Sequence, residues 1–76
     1  MDTREFKQDV PTEEIRSAIL EVIDNNQQTF WGDLYTALIN RYRIEEIRFN
    51  LNSLVQDETI RMKEDSSEHA WEYIRL

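Results

Sequence analysis

The sequence predicts a small α+β protein in which three helices precede a C-terminal β-hairpin. Three stretches between residues 12 and 56 place apolar residues on one face at α-helical spacing. From residue 59 onward, apolar and polar residues alternate on either side of a polar turn, which is typical of a hairpin. With one proline and one glycine in the chain, strong breakers are rare. We expect residues 1–10 to form an N-terminal arm and residues 11–76 to form a single domain.

The first helix is expected to begin near Pro11, which suits the first turn of a helix because it has no N–H to leave unpaired. Asp9 or Thr12 would cap this helix. The polar run DNNQQ, residues 24–28, would end it. The residues expected to face the core are Ile15, Ala18, Ile19, Val22 and Ile23.

A short extended segment at Thr29 and Phe30 separates the first helix from a second one, expected from Gly32 to Asn40. Asn40 would end this helix in the left-handed conformation that glycine often adopts. The second helix would bury Leu34, Ala37 and Leu38, with Trp31 and Tyr42 at its two ends. The third helix is expected from Ile44 to Gln56 and would bury Ile44, Ile47, Leu51, Leu54 and Val55.

The hairpin consists of two alternating runs around the turn DSSE. In TIRMKED, Ile60 and Met62 share one face, and Arg61 and Lys63 share the other. In HAWEYIRL, one face holds Trp71 and Tyr73, and the other holds Ala70, Ile74 and Leu76. Both faces of this last strand are apolar, so the sequence leaves open which one packs on the core.

Composition excludes several classes of function. The chain has no cysteine, and a single histidine, His69, cannot build a metal site alone. A single glycine rules out a glycine-rich phosphate loop, and neighbouring acids diverge by about 100° on a helix. We therefore expect neither an enzyme nor a bound cofactor. No apolar run approaches the ~20 residues that span a bilayer, and MDTREFKQD is not a signal peptide, so a cytoplasmic protein is expected.

The charge of the chain has two explanations. Sixteen acidic residues against nine basic ones give a net charge of −7. This balance is typical of a soluble protein that binds other proteins. It also fits adaptation to molar salt, where charge repulsion is screened over about 3 Å. A domain that depends on phosphate contacts would usually carry a basic stripe instead.

The order helix, short strand, helix, helix, hairpin resembles the winged helix-turn-helix superfamily. The resemblance is carried by FWGDLYTALINRYRIEEIRFNLNSLVQDETIRMKED, in which Phe30 corresponds to the short first strand and QDETIRM to the run into the wing. The chain departs from the family pattern in the turn between the second and third helices, which has no glycine. It departs again at Glu58, where many members have glycine.

The resemblance implies that the third helix is a recognition helix and that the protein is a regulator of transcription that binds double-stranded DNA. A dimer is expected, because one module of this size contacts few base pairs. On an ideal helix the outward face holds Asn52, Ser53 and Gln56, with Arg48 and Asn50 on its flanks. Amides suit adenine edges, and arginines suit guanine or phosphate. The candidates for DNA contacts are Arg43, Arg48, Asn52 and Gln56, together with Arg61 and Lys63 on one face of the wing.

The same face suits a protein partner. Phe49 lies at its centre and would need to be covered by the wing, by the arm containing Phe6, by a second copy of the chain or by another protein. Glu45 and Glu46 in the first turn would repel phosphate, although acids at this position also stabilise the helix. The alternative function is therefore an acidic winged-helix module that binds a protein, without DNA, through Phe49, Glu45 and Glu46.

Overall fold

The computed structural model describes residues 12–65 and 70–76, which form three helices and a two-stranded antiparallel sheet. The elements are α1 (Glu13–Asn25), α2 (Trp31–Leu38), α3 (Ile44–Gln56), β1 (Ile60–Asp65) and β2 (Ala70–Arg75). The α+β class is thus confirmed. The expected arm, the predictions for Asp9 and Pro11, and most of the turn at 65–68 lie outside the described residues.

Helix α1 begins after Thr12, whose extended backbone (φ −110°, ψ 124°) makes it the cap residue. The Thr12 side chain makes no capping hydrogen bond. Its backbone N–H instead donates to Oδ1 of Asn50 in α3 at 2.7 Å. The expected stripe is confirmed, with Ile15, Ala18, Ile19 and Ile23 buried and Val22 partly buried against them.

Helix α2 runs from Trp31 to Leu38 rather than from Gly32 to Asn40. Its start is fixed by Asp33, whose Oδ2 accepts a hydrogen bond from the Phe30 N–H at 2.9 Å. This contact satisfies one of the N–H groups that a helix start leaves unpaired.

The prediction that Asn40 adopts the left-handed conformation is wrong. Among the described residues, the one non-glycine residue with a positive φ is Glu58. The chain leaves α2 through Ile39, which keeps right-handed helical angles (φ −64°, ψ −23°). The Tyr42 N–H then donates to the Leu38 carbonyl at 3.0 Å, so the last turn is closed without a left-handed residue.

Ala37 was expected to face the core, but it is exposed. Leu34 and Leu38, one turn apart, are both buried. Because α2 has eight residues, a single row of side chains faces α1 and α3, and Ala37 lies outside that row.

The predicted bounds of α3 are confirmed, and Ile47, Leu51 and Leu54 are buried as expected. Ile44 and Val55, also expected to face inward, are partly buried because they lie at the edge of the stripe. Asn50 was placed on a flank, yet it is 2% exposed. The stripe that packs inward is therefore wider on the Asn50 side than apolar spacing indicated.

The hairpin pairs Ile60 with Arg75, Met62 with Tyr73 and Glu64 with Trp71. Directly opposed residues point to the same face of a sheet. Ile60 is in the core and Tyr73 packs against it, so the buried face of β2 is the one that carries Tyr73. This settles the choice that the sequence left open.

The extended segment before α2 lies beside β2. Phe30 forms an isolated antiparallel bridge with Glu72, and the Thr29 carbonyl accepts a hydrogen bond from the Tyr73 N–H at 2.8 Å. The expected extended conformation at Thr29 and Phe30 is confirmed. Together these elements are compatible with a winged helix.

Candidate functional site

The outward face of α3 carries a row of three exposed polar side chains, Arg48, Asn52 and Gln56. Consecutive members are four residues apart, which places them about 6 Å apart along the helix axis. In the part of the chain that the structure describes, the side chains of Asn52 and Gln56 make no hydrogen bond. The donors and acceptors of both amides are therefore free to bind a ligand.

Arg48 is held at one edge of this row by an aromatic side chain. Its guanidinium carbon lies 5.2 Å from the centre of the Trp31 ring, a distance at which the cation is attracted to the ring. Trp31 in turn contacts Tyr35, with 6.1 Å between ring centres. The contact leaves the N–H groups of Arg48 exposed while it restricts where the side chain lies.

A surface cavity of about 250 Å³ lies between α3 and the hairpin. Its lining residues are Trp31, Arg48, Leu51, Asn52 and Tyr73. Burial raises the pKa of Tyr73, and the nearby charge of Arg48 opposes this effect. Two members of the polar row thus border on two aromatic rings. The sequence did not reveal this cavity. Trp31 and Tyr73 line it together only because β2 turns its Tyr73 face toward the core.

The charged residues at the start of α3 have different roles. Oε1 of Glu46 accepts a hydrogen bond from the Arg43 N–H at 3.0 Å, so this carboxylate caps the helix. Glu45 and the Arg43 side chain are exposed. Of the two acids considered for a protein interface, Glu45 alone faces solvent without a capping contact.

One side of the α3 face is closed by α1. The Arg16 guanidinium donates to Ser53 Oγ and to Asp57 Oδ2, each at 2.7 Å. Asn50 is buried on the same side, where its Nδ2 donates to the Glu46 carbonyl at 2.8 Å. Ser53, expected on the outward face, lies at the edge of that face, where it is partly buried and its Oγ accepts the hydrogen bond from Arg16.

Phe49 is partly buried and lines a shallow depression of about 270 Å³ together with Asn52, Ser53 and Gln56. It remains accessible at the centre of the outward face. The expectation that the arm containing Phe6 covers Phe49 concerns residues outside the described ranges.

Arg61 and Lys63 are exposed, and they share the sheet face opposite to the one that carries Tyr73. Lys63 lies directly across from Glu72, and Arg61 lies across from Ile74. The structure therefore does not bring this basic pair together with Arg48 and Asn52.

No family model matches the chain, and neither a curated protein nor a solved structure matches it. Residues 12–65 and 70–76 contain no group of three or more His, Cys, Asp or Glu side chains that could hold a metal ion. No helix within the same ranges has the length and apolar character needed to cross a membrane.

Proposed function

We propose that this chain is a winged helix-turn-helix protein that binds double-stranded DNA through α3 and regulates transcription. The observation that carries the proposal is the row of Arg48, Asn52 and Gln56, which is exposed and offers unpaired donors and acceptors. Arginine matches the O6 and N7 atoms of guanine, and amides match the N6 and N7 atoms of adenine. A row about 12 Å long fits the major groove, which admits one helix.

The distribution of charge supports α3 as the DNA-facing element. Arg43 and Arg48 balance Glu45 and Glu46 at its start and centre, and Glu46 is already engaged in capping. By contrast, α1 carries four acids against Arg16 alone. Arg43 and Arg48 would contact phosphate or guanine, and Asn52 and Gln56 would contact bases.

The test is a binding titration of the protein with a pool of randomised duplexes, repeated from low salt to about 1 M. We expect the logarithm of affinity to fall with the logarithm of salt, with a small slope because few cations take part. Arg43→Ala should lower the slope by about one unit. Asn52→Ala and Gln56→Ala should alter the base preference recovered from the pool while they leave the slope unchanged.

Gln27→Ala is the matched control, since Gln27 is an exposed amide in the α1–α2 connection, outside α3. It should bind like the parent. The proposal fails if the parent binds no duplex at any salt, or if Gln27→Ala and Gln56→Ala have the same effect.

A second function is favoured by Phe49, which is an accessible aromatic at the centre of the α3 face. In this alternative, Phe49 and Glu45 bind a second copy of the chain or another protein. Phe49→Ser should then weaken self-association in sedimentation experiments by about 1–3 kcal/mol, as loss of a central aromatic does, with little change in thermal unfolding. Tyr35→Ser, at an exposed aromatic on α2, is the control. A strictly monomeric parent that unfolds after Phe49→Ser would place Phe49 in the core instead.

A further inference from the structure

The outer edge of β1 has no neighbouring strand in the described part of the chain. The Leu76 N–H donates to the Thr59 carbonyl at 3.0 Å, which makes these opposed residues a hydrogen-bonded pair of the hairpin. Hydrogen-bonded and non-hydrogen-bonded pairs alternate along an antiparallel ladder. In this register the backbone N–H and C=O groups of Ile60, Met62 and Glu64 therefore point away from β2. The far side of β2, by contrast, is bordered by the extended segment before α2.

A groove of about 370 Å³ follows the start of this edge. Its lining is mostly apolar and consists of Val55, Glu58, Ile60, Arg61, Met62 and Leu76. Ile60 belongs to the core, whereas Met62 is partly buried and Leu76 is 64% exposed, so the groove is open to a ligand. Extended peptides add as a further strand to sheet edges of this kind, where backbone groups lie beside pockets for alternate side chains.

The other face of the same edge is basic. Arg61 and Lys63 are exposed, and neither side chain makes a hydrogen bond or an ion pair with a described residue. Glu72, across from Lys63, lies one strand farther from the edge. Directly opposed residues on neighbouring strands point to the same face of a sheet. A strand added to β1 would therefore place alternate side chains beside the two bases, where acids are favoured, and the others beside Ile60 and Met62, where apolar residues are favoured.

A second copy of the chain fits this edge poorly. Two β1 strands that meet edge to edge around a twofold axis run antiparallel, and Met62 would pair with Ile60, Met62 or Glu64 of the other copy. These three registers place Arg61 opposite Lys63, or one of these bases opposite its own copy. Like charges directly opposite destabilise a strand pair, and lysine on an edge strand protects against self-pairing. The charges therefore favour a different, acidic strand.

We propose that β1 binds an extended segment of a partner protein in which acidic and apolar residues alternate. The segment adds to the hairpin as a third strand, with its acidic side chains beside Arg61 and Lys63 and its apolar side chains in the groove. This inference goes beyond the proposed function and does not depend on it, since no residue of the polar row of α3 takes part.

The probes are two hexapeptides with blocked ends, one of alternating valine and glutamate and the other of alternating valine and lysine. A titration of the full chain at about 0.15 M salt, followed by NMR of the backbone amides, should show binding of the glutamate peptide. The lysine peptide should bind at least about ten-fold more weakly. Bound peptide should slow hydrogen exchange at the Met62 and Glu64 amides. The Arg61 and Lys63 amides are the internal controls, because they point toward β2.

The double variant Arg61→Ala/Lys63→Ala tests the basic face. It should bind the glutamate peptide about ten-fold more weakly than the parent, because two opposite-charge contacts across the strands are lost. Arg41→Ala/Arg43→Ala is the matched control, since it removes the same charge at exposed residues outside the hairpin. It should bind like the parent.

The possible outcomes are distinct. Absence of binding by both peptides, equal affinity for the two, or parent-like binding by Arg61→Ala/Lys63→Ala would overturn the inference. Exchange at Met62 and Glu64 that slows with protein concentration, in the absence of peptide, would show that a second copy pairs at this edge instead. These measurements contain no DNA, so their failure leaves the proposed function standing, and a parent that binds no duplex leaves this inference standing.

Discussion

Asn50 and Asn52 carry the same side chain on the same helix, but their surroundings give them opposite roles. They diverge by about 200° around α3. Asn50 is buried, accepts a hydrogen bond from the Thr12 N–H and donates one to the Glu46 carbonyl. Asn52 is exposed and has no partner in the described part of the chain. Asn50 therefore joins α3 to the start of α1, whereas Asn52 is available to a ligand.

We expect Asn50→Ala to lower the free energy of unfolding by about 2–3 kcal/mol, because two hydrogen bonds are lost and the Thr12 N–H is left without a partner. Asn52→Ala should change it by less than about 0.5 kcal/mol. Urea unfolding followed by circular dichroism measures both values. Equal losses in the two variants would contradict the roles assigned here.

At the scale of elements, the connection from α3 to β1 depends on one strained residue. Glu58 has a φ of 66°, which places it in the left-handed region. Its N–H donates to the Val55 carbonyl at 3.1 Å, and the Thr59 N–H donates to the Leu54 carbonyl at 3.0 Å. These bonds hold a conformation that glycine adopts more readily than glutamate.

Glu58→Gly should therefore raise the free energy of unfolding by about 1 kcal/mol, since release of the left-handed strain outweighs the added freedom of the unfolded chain. The matched control is Glu58→Ala, which removes the same charge but keeps a Cβ atom. It should show no such gain in thermal or urea unfolding. A lower stability for Glu58→Gly would mean that the side chain, and not the backbone, matters at this position.

A second contact between elements joins α1 to the end of α3. The hydrogen bond from Arg16 holds the pKa of Asp57 below its ordinary value of 3.8, and Thr59 acts in the same direction. Because the folded-state pKa is lowered, the stabilisation is complete above pH 3.8 and is lost as the pH falls through the folded-state pKa.

The stability of the parent should consequently fall as the pH is lowered below about 4 and through the lowered pKa of Asp57, and Asp57→Asn should make this decline shallower. Arg16→Gln, which removes the guanidinium and its positive charge, should likewise make the decline in stability at low pH shallower. Thermal unfolding over this pH range is the measurement. If both variants keep the steepness of the parent, the contact does not contribute to folding.

The whole molecule carries a net charge of −7, and much of it lies on one helix. The acids of α1 are Glu13, Glu14, Glu21 and Asp24, all of them exposed. Arg75 pairs with Asp24 at 2.7 Å, but both side chains are about half exposed, so solvent weakens this pair. Repulsion between the acids opposes folding when it is not screened.

Salt should therefore stabilise the folded protein. Raising NaCl from about 0.01 M to 1 M shortens the screening length from about 30 Å to 3 Å, and we expect the urea midpoint to rise over this range. The double variant Glu13→Gln/Glu21→Gln should depend less on salt. A midpoint that falls or stays constant would show that repulsion in α1 does not limit stability.

The elements of this protein could be predicted where a long periodic pattern defined them. The bounds of α3 and the buried stripe of α1 follow from apolar spacing over 13 residues each. The end of α2 could not be predicted, because Asn40 suited a left-handed cap by residue type while the chain closes the helix through Leu38 and Tyr42. The preference of Asn40 for the left-handed conformation was therefore outweighed by the path that the chain takes from α2 to α3.

The candidate site was predicted in part for the same reason. Helical periodicity by itself placed Asn52 and Gln56 on the outward face and Arg48 at its flank, and the structure shows all three exposed in one row, since residues four apart on a helix are neighbours. Which other side chains border that row depended on contacts between distant segments. The burial of Asn50, the hydrogen bond of Ser53 to Arg16 in α1 and the choice of the Tyr73 face of β2 came only from the tertiary structure. A strand with two apolar faces can pack by either one, and the helices that meet it decide which is buried.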